Sequence, residues 1–307
     1  MAPIPEMESI WMDGRLVPWA DARIHVLTHA LHYGSGVFEG IRAYKTDKGA
    51  AVLRLTEHLE RLLRSAKLYY MPVPYTVEQL HDATFEVLRG NRLDAGYIRP
   101  LVFRGYGEMG LFPLDAPVNV VIAAWPWGSY LGEEGVRHGV RAKTSSIQSL
   151  DHTALARAAK ATGQYLNSIL AKIEVLKAGY DEAIMLTERG HVAEGSGENV
   201  FLVRDGVLST PPPSDGVLEG ITRDIIMRLA RSEGIEVRER SIARSDLVIC
   251  DEAFYTGTAA EVVPIREIDD HLIGEPGPVT RRMQERFKAI TAGRDEEFGH
   301  FMEYARA

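Results

Sequence analysis

The sequence predicts an α+β fold in two domains, the second of them barrel-like. Strand-patterned runs outnumber clear strand–helix–strand units, which is the pattern of an α+β fold. The chain's 307 residues suffice for one large or two medium domains with a substantial core. Regular patterning breaks at Pro126-Trp127-Gly128-Ser129-Tyr130-Leu131-Gly132, which sets the expected boundaries at residues 1–125, a linker over 126–134, and residues 135–307.

Asp13-Gly14 between short strand-like runs predicts a hairpin over residues 8–19. Leu59, Leu62, Leu63, Ala66 and Tyr70 recur at helical spacing behind Thr56, read as N-cap, and Pro72 and Pro74 close that segment. A second helix covers 77–89 and stops before Gly90. Tyr97 to Arg104 alternates, so Tyr97, Arg99, Leu101 and Phe103 share one strand face. Val118 to Trp125 reads as a buried strand. Past the linker come strands over 141–145 and 182–187, with a helix over 162–178 between them. Next is a hairpin joining 200–203 to 207–210 through Asp205-Gly206. Thr222 to Ser232 reads as a helix ended by Gly234, Phe254 onward returns to strand, and a last helix spans 279–289.

Apolar residues at 45% and charged residues at 25% are an ordinary soluble mix. A net charge of -8 argues against nucleic acid as a general partner. Cys250 is the only cysteine, which precludes an intrachain disulfide and suits a reducing compartment. The N-terminus lacks a signal-peptide pattern, and no apolar run approaches the roughly 20 residues needed to span a bilayer. The expectation is a cytoplasmic protein without a membrane partner. The histidines show no metal-ligand spacing; His25, His29 and His32 are read as structural, and no metal is expected.

Taken singly, the chemical candidates have ordinary readings. Lys160, in Ala158-Ala159-Lys160-Ala161-Thr162-Gly163-Gln164-Tyr165, is by default a solvated lysine, although close packing among alanines would favour a nucleophilic amine. Tyr165 alone is a helix residue. Glu194 is more suggestive, because it falls in a Gly- and Ser-rich turn between strand-like runs. Gly220-Ile221-Thr222 opens a helix, where amide donors and the dipole favour an anion; Thr222 as a plain cap is the alternative. Glu57 precedes Arg61 by four residues, so a solvated surface ion pair is the ordinary explanation of that arginine. For Arg99 the alternative is a structural salt bridge.

Read together, the residues around Lys160 and the segment Glu194-Gly195-Ser196-Gly197-Glu198-Asn199 resemble the class IV aminotransferases. Glu194, Asn199, Phe201, Thr210, Leu218, Gly220 and Ile221 fall at the spacings of that family's signature. His32-Tyr33-Gly34-Ser35-Gly36-Val37-Phe38-Glu39-Gly40-Ile41-Arg42 resembles the N-terminal motif of its branched-chain amino acid subgroup.

The resemblance implies fold type IV, with a small N-terminal α/β domain and a larger C-terminal pseudo-barrel domain, pyridoxal 5'-phosphate (PLP) as cofactor, and a homodimer, or a hexamer built from dimers. It implies Lys160 as the catalytic lysine that binds PLP, Tyr165 at the cofactor's phenolate oxygen and Glu194 at its ring nitrogen. Arg61, Gly220, Ile221, Thr222 and Thr258 would bind phosphate, with Gly197 a further cofactor contact. Tyr33 and Phe38 would line an apolar pocket. Tyr97 and the Ala259 amide, beside Thr258, would take the substrate α-carboxylate, and Arg99 the side-chain carboxylate of glutamate or 2-oxoglutarate. Trp127 and Tyr130 would close over the site, and Leu111 would reach the neighbouring subunit's pocket. Arg104, Tyr106 and Phe112 depart from the relatives' pattern, which bears on substrate preference.

The implied activity is ping-pong transfer of the amino group of L-leucine, L-isoleucine or L-valine to 2-oxoglutarate. A D-amino acid or (R)-amine transaminase and aminodeoxychorismate lyase share the fold, but Phe38–Arg42 and Gly257–Glu261 favour the branched-chain enzyme. A non-catalytic binding relative is the reading from another class; the retained lysine, tyrosine and glutamate weigh against it.

Overall fold

The computed structural model describes residues 3–128 and 130–306. Its elements begin with β1 (Ser9–Met12), β2 (Arg15–Pro18), α1 (His29–Tyr33), β3 (Gly36–Phe38), β4 (Ile41–Thr46) and β5 (Gly49–Leu53). Then come α2 (Leu55–Leu68), α3 (Val77–Gly90), β6 (Gly96–Arg104), β7 (Val118–Trp125), α4 (Gly132–His138) and β8 (Val140–Thr144). These are followed by α5 (Tyr165–Lys177), β9 (Glu182–Leu186), β10 (Val192–Gly195), β11 (Asn199–Arg204), β12 (Val207–Thr210) and α6 (Ile221–Ser232). The last elements are β13 (Val237–Glu239), β14 (Glu252–Gly257), β15 (Glu261–Ile268), β16 (His271–Leu272), α7 (Pro278–Thr291) and β17 (Met302–Glu303). One compact unit comprises the chain up to Trp127, Ala159–Gln164 and the residues from Ile290 on; the other comprises Gly128–Ala158 and Tyr165–Ala289. Ser129, in the expected linker, lies outside the described residues, and α4 begins at Gly132, inside that expected stretch.

The first unit is built on an antiparallel sheet in the order β17-β5-β4-β6-β7-β1-β2, with β3 also pairing β6. Asp13 and Gly14 both take positive φ, 47° and 98°, as a two-residue hairpin turn between β1 and β2 requires. Leu55, Leu59 and Leu62 of α2 and Leu80, Val87 and Leu88 of α3 join Ile41, Ile98, Val120 and Ile122 in one core. Helix α3 starts with a reciprocal capping box between Thr76 and Gln79. Thr56 is not the cap of α2, which starts one residue earlier behind Arg54 in the left-handed region. Instead the Glu303 carboxylate of β17 accepts the Thr56 N–H at 2.8 Å and its hydroxyl at 2.6 Å. A carboxylate from 247 residues away thus serves the helix N-terminus, which local sequence cannot reveal.

The second unit carries a mixed sheet in the order β10-β9-β8-β15-β14-β11-β12-β13, with β16 on β15. Pairs β8–β9, β15–β8 and β12–β13 are parallel and the rest antiparallel. Asp205 and Gly206, at φ 51° and 75°, turn the β11–β12 hairpin. Phe201 of β11 stacks on Phe254 of β14 at 5.2 Å, locking the two neighbours in register. The expected helix over 162–178 is a 3-10 turn at Thr162–Gln164 followed by α5. Among the described residues no helix is long and apolar enough to cross a membrane.

Candidate active site

Lys160 belongs to the first unit and lies in non-helical backbone just before the 3-10 turn. Its N–H donates to Ser65 Oγ at 3.1 Å, its carbonyl accepts the Phe38 N–H at 3.0 Å, and Ala161 bridges to Val37. The chain around the amine is therefore clamped to α2 and β3. Lys160 Nζ stands 5.0 Å from the Phe38 ring centroid and Arg99 Cζ 4.6 Å from the same centroid. One apolar ring thus contacts two cations, a favourable contact for both.

Arg99 and Tyr97 share a face of β6 and touch: Arg99 Nη2 donates to Tyr97 Oη at 3.1 Å. The Tyr97 ring lies 4.9 Å from that of Trp127. Arg99 Nε and Trp127 Nε1 are buried donors with no hydrogen-bond partner among the described residues. Such donors are costly unless a ligand or water accepts from them. Tyr33, half exposed, packs on His29, whose ring nitrogens bond Ser35 Oγ at 2.6 Å and Gly110 O at 2.8 Å. His29 is thus structural and tethers the loop in which Leu111 is 90% exposed.

Glycines within 34–40 meet close neighbours from the protein itself. A Cβ on Gly40 would sit 2.1 Å from Tyr97 Oη, and one on Gly34, at φ 63°, would sit 2.8 Å from Gly163 Cα. These neighbours are Tyr97 and the 3-10 turn that follows Lys160.

Arg61 is buried on α2, not solvated, and its partner is Glu39 rather than Glu57. Arg61 Nε donates to Glu39 Oε1 at 2.6 Å and Nη2 to Oε2 at 2.8 Å; His58 Nδ1 lies 2.7 Å from Oε2. Burial alone would raise the Glu39 carboxyl, but the charge of Arg61, then His58, holds it well below the usual carboxylate range. Burial lowers the His58 pKa. Glu57, four residues before Arg61, bonds Arg54 instead. Sequence spacing misses Glu39 and His58 because their contacts cross from a loop to a helix.

In the second unit Glu194 lies within β10, not in the turn after it. Pairing with β9 slips between Val192 and Gly195, opposite Leu186 and Ile184, and such a bulge re-aims the side chain inside it. Arg157 Nη2 donates to Glu194 Oε1, while the Leu218 N–H at 3.0 Å and Asn199 Nδ2 at 3.2 Å donate to Oε2. Asn199 also donates to Leu218 O at 3.0 Å, tying β11 to the chain entering α6. That helix starts at Ile221 with Gly220 as N-cap and no side-chain cap; Thr222 is its second residue and does not cap it. Its first amide donors are thus not taken by a capping side chain. A Cβ on Gly220 would sit 1.9 Å from Asn199 Oδ1, so only glycine fits against this network. Gly197 has nothing within 4 Å of a notional Cβ, and its N–H donates to Glu198 Oε2 at 3.0 Å. Tyr165 opens α5, Thr258 and Ala259 form the turn between β14 and β15, and Tyr130 packs near Lys172.

Beneath this surface Glu198 and Glu182 are both buried. Glu182 accepts from Ser196 Oγ and Lys172 Nζ, while burial first, then the Glu182 charge, pushes the Glu198 carboxyl well above its usual range. Sequence reasoning missed Arg157, Glu182 and Glu198; a lone charged residue has no periodicity to betray its partner.

A family profile described as Amino-transferase class IV matches residues 36–268. A branched-chain-amino-acid aminotransferase of Pseudomonas aeruginosa is 48% identical over 289 residues, covering 94% of each chain. The chain belongs to the class IV aminotransferases, in their branched-chain-amino-acid group. A crystal structure of the Escherichia coli branched-chain amino acid aminotransferase superposes with a TM-score of 0.94 at 44% identity, over 98% of this chain and 100% of that one. The T.th. branched-chain amino acid aminotransferase, solved in complex with N-(5'-phosphopyridoxyl)-L-glutamate, gives 0.94 at 46% identity, over 98% and 99%. This class IV aminotransferase accordingly has the α+β architecture of fold type IV. Its mixed second sheet is the curled, barrel-like one expected from the strand pattern.

Proposed function

We propose that this aminotransferase moves the amino group of L-leucine, L-isoleucine or L-valine to 2-oxoglutarate, with PLP as cofactor. The observation that carries the reading is the Glu194 network: a carboxylate aimed by Arg157, Asn199 and Leu218, joined directly to a helix start without a side-chain cap. That donor set fits PLP, which needs a carboxylate at its ring nitrogen and amide donors at its phosphate.

When bound, PLP supplies an aldehyde and an electron-accepting ring. Lys160 Nζ would hold the cofactor and, once freed by the substrate amine, would take the proton from the amino acid Cα as general base and pass it to the cofactor's C4′. In the second half-reaction the same amine would carry a proton from C4′ to Cα of the 2-oxo acid. Glu194 stabilises the positive charge on the ring nitrogen and Tyr165 donates to the phenolate oxygen. Arg61, Gly220, Ile221, Thr222 and Thr258 bind the phosphate, and Gly197 approaches the cofactor with its backbone.

On the substrate side, Tyr33, Phe38 and Leu111 form an apolar wall, and Trp127 and Tyr130 cover it. Tyr97 and the Ala259 amide take the α-carboxylate. Arg99 takes the side-chain carboxylate of the acceptor, a role its buried, partnerless Nε supports. The enzyme works as a homodimer. Leu166, Ile169, Leu170, Ile173 and Leu176 make an exposed apolar stripe along α5, and Leu111 and Phe112 protrude, as surfaces covered by a second copy would. The single cysteine suits a cytoplasmic location.

A donor panel tests the reading. L-Leucine, L-isoleucine or L-valine with 2-oxoglutarate should turn over far faster than D-alanine or (R)-1-phenylethylamine with pyruvate. Lys160→Ala should lower turnover by at least about a thousandfold while retaining PLP through its phosphate contacts. Comparable turnover by that variant would remove the central assignment.

A further inference from the structure

Arg157 has no place in the signature spacing, yet it is one of the more deeply packed charges of the second unit. Its side chain is 11% exposed, and that of Glu194 is 13% exposed. Nη2 donates to Glu194 Oε1, and Nε donates at 2.9 Å to the Gly216 carbonyl. The guanidinium is therefore anchored at the loop ahead of α6 and presents a fixed charge to one oxygen of Glu194. The other oxygen accepts from two neutral donors, Asn199 Nδ2 and the Leu218 N–H.

We propose that Arg157 is a positioning residue that keeps the Glu194 carboxylate charged and aimed while the cofactor is bound. The proposal rests on the reading of Glu194 as the group at the cofactor's ring nitrogen. Arg157 is a cation in contact with Glu194, and Glu198 is an acid on which the Glu194 charge acts. Behind Glu198 stand Glu182 and its partner Lys172. Enclosure of a carboxylate favours its neutral form, and a contacting guanidinium opposes that drive. A neutral Glu194 could no longer balance a positive ring nitrogen. The acid limit of cofactor retention and of turnover is therefore set by Arg157 acting through Glu194.

The test follows PLP release from the holoenzyme by ultrafiltration, together with kcat, between pH 5 and 9 for wild type, Arg157→Gln, Arg157→Lys and Glu194→Gln. Arg157→Gln should move the acid limb of both profiles upward by about one pH unit or more. PLP should then leave about tenfold faster at the acid end, with retention near wild type at pH 9. Arg157→Lys, which restores the charge without the fork, should recover most of that shift. A merely structural role would speed release equally at every pH, and that outcome overturns the proposal, as does an unmoved acid limb. If Arg157→Gln does not fold, the shift between Arg157→Lys and wild type decides, since the weaker lysine contact should still move the limb measurably. Should Glu194→Gln retain wild-type turnover and PLP, the role of Glu194 itself falls. Impaired Glu194→Gln with an unshifted Arg157→Gln defeats only the role of Arg157.

Discussion

Glu39 and Glu198 are both buried carboxyls, and their neighbours drive them in opposite directions. Glu39 has Arg61 and His58 on its oxygens and stays charged; breaking such a pair from one side costs about 3–5 kcal/mol. Glu198 has another acid nearby and keeps its proton up to about pH 8, against 4.5 for an ordinary glutamate. Between those values the native state binds more protons than the unfolded chain. This group's contribution to stability is thus fully present below about 4.5, declines as pH rises, and is lost above about 8. Glu198→Gln keeps the shape and an acceptor for the Gly197 N–H. It should be near neutral at pH 4 and more stable than wild type at pH 9, by on the order of 3 kcal/mol. Urea midpoints at the two pH values check this; parallel loss of stability in both proteins would count against a buried proton on Glu198. Cys250 follows the same rule, with burial pushing its thiol up to about 11, which makes it a poor nucleophile at neutral pH.

At the scale of elements, the well-read segments are those whose signals are local. Asp13-Gly14 and Asp205-Gly206 turned as expected because positive φ is chosen by the turn residues themselves. β7 and α6 follow their apolar patterns to within a residue. At α2 the threonine does not cap, and Glu303 serves the N-terminus from a distance; at α6 the N-cap is Gly220, packed against Asn199, and Thr222 is the second helical residue. Gly220 is the sharper test of the two. Asn199 Oδ1 cannot yield freely, since its amide nitrogen holds both Leu218 and Glu194. Gly220→Ala should cost about 1–3 kcal/mol through overpacking and weaken PLP retention, read by thermal unfolding and by cofactor release. A variant with unchanged stability and cofactor retention would mean the network relaxes without cost.

At the scale of the whole molecule, residues given one role by the family resemblance belong to two compact units. Lys160, Arg61, Phe38, Tyr97, Arg99 and Trp127 belong to one, and Tyr165, Glu194, Gly220, Thr222 and Thr258 to the other. The chain leaves the second unit at Ala159 and returns at Tyr165, so Lys160 is borne on a six-residue excursion clamped to β3 and α2. The α5 stripe begins where that excursion ends. For the proposed homodimer, Leu166→Ser with Leu170→Ser should shift the protein toward monomer, measured by light scattering across a dilution series. An unchanged dimer would place self-association elsewhere.

By itself the sequence determined the family, through a lysine, a phenol and a carboxylate at family spacing, together with the turns and most strands and helices. These are encoded by residue type and short-range order, so a linear reading finds them. The tertiary structure alone decided what each charge faces. Arg61 pairs with Glu39 and not Glu57, Glu194 is aimed by Arg157 and Asn199, and the glycines of 34–40 admit Tyr97 and Gly163. Those partners lie far apart in the chain, and only packing brings them within the few ångströms over which a hydrogen bond, a charge or a steric contact acts.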